Sequence, residues 1–108
     1  MANSPYLAYE GFLPNPEANI GSALPAGSIY ILKEIAVKND GDGVNQAEIG
    51  TNTLATQPLV DESLPPAGSA GNWQVYPFST VMAAGTQFRG LATTAAEVYV
   101  RISMQRIT

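Results

Sequence analysis

The sequence predicts an all-β fold, an antiparallel β-sandwich or jelly roll of about eight short strands preceded by an extended N-terminal arm. Three observations carry this. Apolar and polar residues alternate with a period of two in the clearest segments, and no stretch sustains a 3.6-residue period. Ten glycines and eight prolines are spread through 108 residues, too densely for long helices. A corner phrase recurs: Leu24-Pro25-Ala26-Gly27, Leu64-Pro65-Pro66-Ala67-Gly68 and Met82-Ala83-Ala84-Gly85. Its intervals are unequal, so it reads as one kind of strand-to-strand corner used three times, not as a tandem repeat.

Residues 1–19 read as the arm, and residues 20–108 as the sandwich domain. Pro5, Pro14 and Pro16 oppose both a long helix and a central strand, and leave room for a short edge strand near Tyr6–Phe12. The aromatics Tyr6, Tyr9 and Phe12 pack either on this domain's own core or, as interface residues, on a neighbouring subunit. Ile20–Leu24 is a short strand entering the first corner. Ser28–Asn39 organises the rest. One parity reads Ile29, Ile31, Lys33, Ile35 and Val37, and turn-forming residues flank both ends.

Across Asn39-Asp40-Gly41-Asp42-Gly43, Gln46–Thr51 is expected to return as a hairpin partner. Thr53–Val60 is a further candidate strand, which Pro58 confines to an edge or a bulge. Ser63–Asn72 is a loop. Trp73–Phe78 is an aromatic-dense strand continued by Ser79–Val81, and Thr86–Ala92 follows the third corner. The C-terminal strand, Glu97–Ile107, is the most regular. Val98, Val100, Ile102 and Met104 face one way; Glu97, Tyr99, Arg101, Ser103 and Gln105 face the other.

Composition removes several kinds of chemistry. With neither Cys nor His, Cys/His zinc sites, Ser-His-Asp triads and Cys-His dyads are all out of reach. Absence of cysteine suits a reducing cytoplasm. Five basic and nine acidic residues give a net charge of −4, which speaks against nucleic-acid binding and against a polybasic membrane anchor. No apolar run approaches the ~18–20 residues of a membrane span. The opening MANSPYLAYEG has neither the basic nor the apolar region of a secretory signal.

Four constellations could still carry chemistry. Asn39, Asp40 and Asp42 begin like a calcium loop, but Val44 occupies the next ligand position and no glutamate follows at the needed distance. A turn is the better account, and no metal or other cofactor is expected. The carboxylates show no spacing that selects a catalytic pair. Trp73 and Tyr76 are candidates for a subunit interface or a sugar platform, although Trp73 shares its parity with Val75 and Tyr76 with Phe78. Arg89 and Arg101 are candidates for intersubunit ion pairs, with Arg106 the third guanidinium available.

The order of these parts resembles a group of small β-sandwich or jelly-roll virion proteins of tailed bacteriophages. The resemblance covers residues 20–108. Its pieces are the Leu24–Gly27 corner, the Ile29–Asn39 strand ending in an Asn-Asp/Gly turn, the Ala84–Thr86 corner and the Val98–Ile107 strand. It implies a structural, non-enzymatic role in capsid decoration (cement) or in a head or tail appendage. It also implies self-association, often as a homotrimer, and attachment to a larger virion protein such as the major capsid protein. Such a protein is made in the host bacterial cytoplasm and ends in the virion. A carbohydrate- or receptor-binding module of a phage appendage is the alternative.

Overall fold

A computed structural model describes residues 3–52 and 58–108. The described residues form eight strands: β1 (Asn3–Phe12), β2 (Ala18–Asn19), β3 (Ile29–Asn39), β4 (Asn45–Thr51), β5 (Pro58–Leu64), β6 (Trp73–Met82), β7 (Phe88–Ala92) and β8 (Val98–Ile107). Residues 53–57 of the strand expected over Thr53–Val60 lie outside the described residues.

Two four-stranded sheets form, a front sheet in the order β1-β8-β3-β6 and a back sheet in the order β2-β7-β4-β5. All pairings are antiparallel. The pairs β4–β5, β3–β6, β2–β7 and β1–β8 are successive rungs of one long hairpin. That hairpin is rolled up so that β3 lies beside β8 and β4 beside β7. This is the jelly roll, and the expected antiparallel β-sandwich is the observed fold.

Between the sheets lies the core. Tyr30, Leu32, Ile35, Val37, Val98, Val100, Ile102 and Met104 come from the front; Ala47, Ile49, Val60, Leu64, Phe88 and Ala92 come from the back. β8 behaves as its alternation predicts. β3 does not keep one parity. Its register against β8 shifts between Leu32 and Glu34, so Lys33 is an extra, bulged residue. Tyr30 and Leu32 point inward before the bulge, Ile35 and Val37 after it, while Ile29 and Ile31 face outward. A bulge re-aims a strand in this way by adding one residue to one side of a pair. β1 carries a matching shift between Leu7 and Tyr9.

Three sequence expectations are corrected. The opening segment holds the edge strand expected near Tyr6–Phe12, but it is longer and built into the sandwich: β1 pairs along its length with β8, and β2 with β7, so residues 3–19 contribute to both sheets. Pro5 is tolerated because β1 is an edge strand. The strand expected at Ile20–Leu24 is replaced by β2, although Ile20 and Leu24 N–H still donate to Phe88 and Thr86 carbonyls beside β7. Finally, β4 is not the hairpin partner of β3; the Asn39–Gly43 segment crosses between sheets.

The corners behave as one device. Gly27, Gly68 and Gly85 all hold positive φ, +93°, +84° and +87°, which glycine alone adopts without strain. At the end that holds the Gly68 corner, opposite the Gly27 and Gly85 corners, Asn39 ties three loops together. It is fully buried. Its Nδ2 donates to the carbonyls of Gly43 (2.8 Å), Leu64 (3.2 Å) and Pro65 (3.0 Å). Its Oδ1 accepts from Gly41 N–H (2.9 Å) and Asn45 Nδ2 (3.0 Å). Asn45 also donates to Glu97 Oε1 (3.0 Å) and accepts from Thr94 N–H (2.9 Å).

Candidate functional site

The outward face of the front sheet can be mapped from strand register, because directly paired residues share a face. Read from β1 through β8 and β3 to β6, its rows descend as follows. First comes Phe12, Tyr99, Lys38 and Trp73, then Glu10, Arg101, Ala36 and Val75, then Leu7, Ser103, Glu34 and Pro77. Below these lie Pro5, Gln105, Ile31 and Val81, then Asn3, Ile107 and Ile29.

This face is unusually apolar. Seven large apolar side chains are exposed among the described residues, and six of them, Leu7, Phe12, Ile29, Trp73, Val75 and Val81, stand on it. Trp73 is 63% exposed and Val81 68%. The seventh, Val44, sits in the loop before β4. The back sheet turns Gln46, Glu48, Asp61, Ser63, Arg89 and Leu91 outward, a largely polar set. One face of the sandwich is therefore built for water and the other is not.

In the upper half of the front face is a groove of about 620 Å³. Small residues make its floor, Ala36 and Ser103. Trp73 stands at one side, Phe12 and Tyr99 at the other, with Glu34, Lys38, Asp40 and Arg101 around them. Phe12 and Tyr99 pack edge to face, centroids 5.3 Å apart and planes at 78°. The Lys38 ammonium is 3.4 Å from the Asp40 carboxylate. Arg101 and Glu34 make no ion pair among the described residues. Tyr99 is held above the ordinary phenol pKa, first by donating toward the Glu10 carboxylate, then by desolvation and the charge of Glu10.

The structure separates several residues that the sequence had grouped. Tyr6 turns inward and packs edge-on against Tyr30, centroids 5.1 Å apart. Tyr9 packs against the core and donates its hydroxyl to the Phe12 carbonyl (2.6 Å), and burial pushes its phenol up. Of that trio only Phe12 faces outward. Trp73 and Tyr76 lie on opposite faces of β6, so they cannot form one platform. Tyr76 packs against the core, and burial and the charge of Glu62 raise its phenol pKa.

Arg89 is engaged within the chain. Its Nε lies 2.8 Å from Glu17 Oε2, and its Nη1 donates to Asn19 Oδ1 at 2.7 Å. Arg106 turns toward the Tyr6 ring, 6.0 Å from its centroid. Arg101 alone remains on the outer face, exposed. The Asn39–Asp42 oxygens do not converge on a cation: Asn39 is consumed by its loop bonds and Asp40 faces Lys38. Missed from sequence were Tyr99 and Glu34 as groove residues and Ile29, Ile31 and Val81 as surface. The available signal was the unbroken apolar run Ile29-Tyr30-Ile31-Leu32, which puts large side chains on both faces at once.

No family model matches the sequence, and no curated protein does. Among solved structures, the chain is similar to a mutant VP2 protein of infectious bursal disease virus in derived T=1 particles. The TM-score is 0.46 and the identity 11%, over 97% of this chain and 31% of that one. The chain thus spans about a third of the VP2 chain's length. It is also similar to the C-terminal carbohydrate-binding module (CBM6) of the marine laminarinase LamC from Zobellia galactanivorans, with a TM-score of 0.39 and 15% identity over 99% and 100% of the two chains. A carbohydrate-binding module of Cellvibrio mixtus lichenase 5A, solved with cellotriose, gives 0.35 and 19% over 98% and 77%. The functional reading rests on the surface itself.

Proposed function

We propose that this protein is a structural component of a tailed-phage virion, one that decorates the capsid and stabilises it through subunit interfaces. The observation that carries the reading is the concentration of exposed apolar side chains on the front sheet. A face of that kind gains free energy when another protein surface covers it. The jelly roll supplies a stiff body with loops gathered at two ends. Adhesion to copies of itself and to the major capsid protein is what such a body offers.

The test is co-sedimentation with capsids of the encoding phage from which the protein has been stripped. The wild-type protein is expected to pellet with them and raise their resistance to heat. A protein that stays in the supernatant at saturating concentration refutes the proposal. Ile29→Asp with Val81→Asp, which charges the face without touching the core, is expected to weaken the effect.

A second reading is favoured by the groove. Its volume falls within the ~300–1,000 Å³ typical of ligand sites, and exposed Trp73 beside Arg101, Glu34 and Ser103 is a combination that binds sugar rings. Glycan-array binding abolished by Trp73→Ala, with the fold intact, would select it.

A further inference from the structure

We infer that the front face is occupied by a second copy of this chain, related by a two-fold axis that runs along the strands between β8 and β3. This rests on the adhesive reading above and names the partner. Three observations lead to it.

The first is size. Four strands spaced ~4.8 Å apart and about ten residues long at ~3.3 Å each present about 600 Å² per copy, or about 1,200 Å² in the pair. That reaches the lower bound of standard specific interfaces.

The second is self-complementarity. Under this axis β8 of one copy faces β3 of the other, row against row. Ile107 then meets Ile29, and Ser103 meets the Glu34 carboxylate as a hydrogen-bond donor. Arg101 meets Ala36, the small residue in the groove floor, so a long side chain enters a pit. The contacts nearest the axis are those that sheet twist displaces least.

Charge supplies the third. Glu34 stands two residues before Ala36 on the same face of β3, within reach of a guanidinium seated there. Neither Arg101 nor Glu34 has an ion partner in its own chain among the described residues. The two-fold gives each one, twice per dimer. The other in-plane axis, run across the strands at the Glu34 row, brings Glu34 onto its own copy and buries like charges together near the centre; the axis along the strands instead sets Glu10 against Val75, on the two edge strands where water still reaches the charge. A ring of three would need two different complementary patches, whereas this face matches itself. The groove that a sugar would enter is, in this arrangement, the seat of the second copy's Arg101.

Sedimentation velocity on the isolated protein tests it. The expected species has twice the 11.4 kDa mass of the chain at micromolar concentration. Ala36→Arg fills the pit with like charge, and Arg101→Glu faces Glu34 with another acid. Each is expected to raise the dimer dissociation constant at least about tenfold. Arg101→Glu combined with Glu34→Arg is expected to restore the dimer, a rescue that a folding defect would not show. A monomer at every concentration, a trimer, or a dimer indifferent to all three variants overturns the inference. A monomer that still pellets with capsids would remove this inference alone. A dimer that ignores capsids would remove the functional proposal alone.

Discussion

Replacing Asn39 by alanine is the perturbation that most directly probes how the loop end of the sandwich is held. Asn39 has two amide hydrogens, shared among the carbonyls of Gly43, Leu64 and Pro65, and its oxygen takes the Gly41 N–H and the Asn45 amide. Truncation leaves all five groups short of a partner. Two of the hydrogen bonds, those to Gly43 and Pro65, are only part-buried, so water can replace them in part. The Leu64, Gly41 and Asn45 bonds are buried. At ~1–3 kcal/mol for a buried group left unpaired, and with the wetter groups discounted, the expected loss is about 3–5 kcal/mol. Set against a typical total of ~5–15 kcal/mol, that is a large share. Urea unfolding followed by tryptophan fluorescence would show the midpoint fall with an unchanged slope.

A loss under ~1 kcal/mol would refute the reasoning, because it would mean that the loops hold one another without the hub. Asn39→Asp sharpens the test. It keeps an acceptor for Gly41 but turns a carboxylate toward three carbonyl oxygens, so it should be worse than alanine. An aspartate tolerated as well as the native residue, and only with calcium present, would revive the cation-loop reading.

Other predictions concern separate parts of the molecule. Gly90→Ala would place a methyl group 2.6 Å from Leu13 Cδ2 and 3.3 Å from Ile20 Cδ1, both inside the core, and is expected to cost ~1–3 kcal/mol in the same unfolding assay. Arg89→Ala removes a partly exposed pair with Glu17, so its effect should stay near ~1 kcal/mol or below. Tyr99 is raised in the folded state, so its contribution is complete below the unfolded phenol value of 10.0 and is lost as pH rises through the higher folded value. Ultraviolet titration should show Tyr99 titrating late together with Tyr9 and Tyr76, and Glu10→Gln should bring Tyr99 alone back toward the ordinary range.

What the sequence disclosed was local. β8 was legible because its alternation is unbroken, and the three corners because each ends in a glycine where positive φ is needed. What it hid was pairing between distant segments. Rolling one long hairpin brings β3 beside β8, and nothing near Asn39 records this; the Asp/Gly loop carries the chemistry of a hairpin turn and instead spans two sheets. The prolines pointed to an edge strand, and Pro5 does lie on one, but they hid how far it runs; Pro14 and Pro16 fall in the link between sheets. The parity of β3 could not be read as one series because Lys33 is bulged. On the site, Trp73, Phe12 and Arg101, named as interface candidates, stand exposed on the front face, whereas Tyr6, Tyr9 and Tyr76 pack against the core.

An antiparallel sheet with one solvated face alternates apolar with polar residues. The back sheet does so, with Ala47 and Ile49 inside and Gln46 and Glu48 outside. β3 does not: Ile29 through Leu32 are all large and apolar, two facing the core and two facing out. Such a strand has the composition of one covered on both sides. The front sheet therefore asks for a third layer, which no other strand of the described chain supplies. Apolar ends alone would accept almost any greasy surface. The middle rows would not, because Arg101, Glu34 and Ser103 must each meet a matching group or be buried unpaired, at a cost that exceeds what the isoleucines return. Specificity on this face is thus set by its few polar residues and adhesion by its many apolar ones. The face itself, turned over, offers Arg101 a glutamate and Glu34 a hydroxyl and a guanidinium at the centre, and leaves Glu10 against Val75 only at the edge strands.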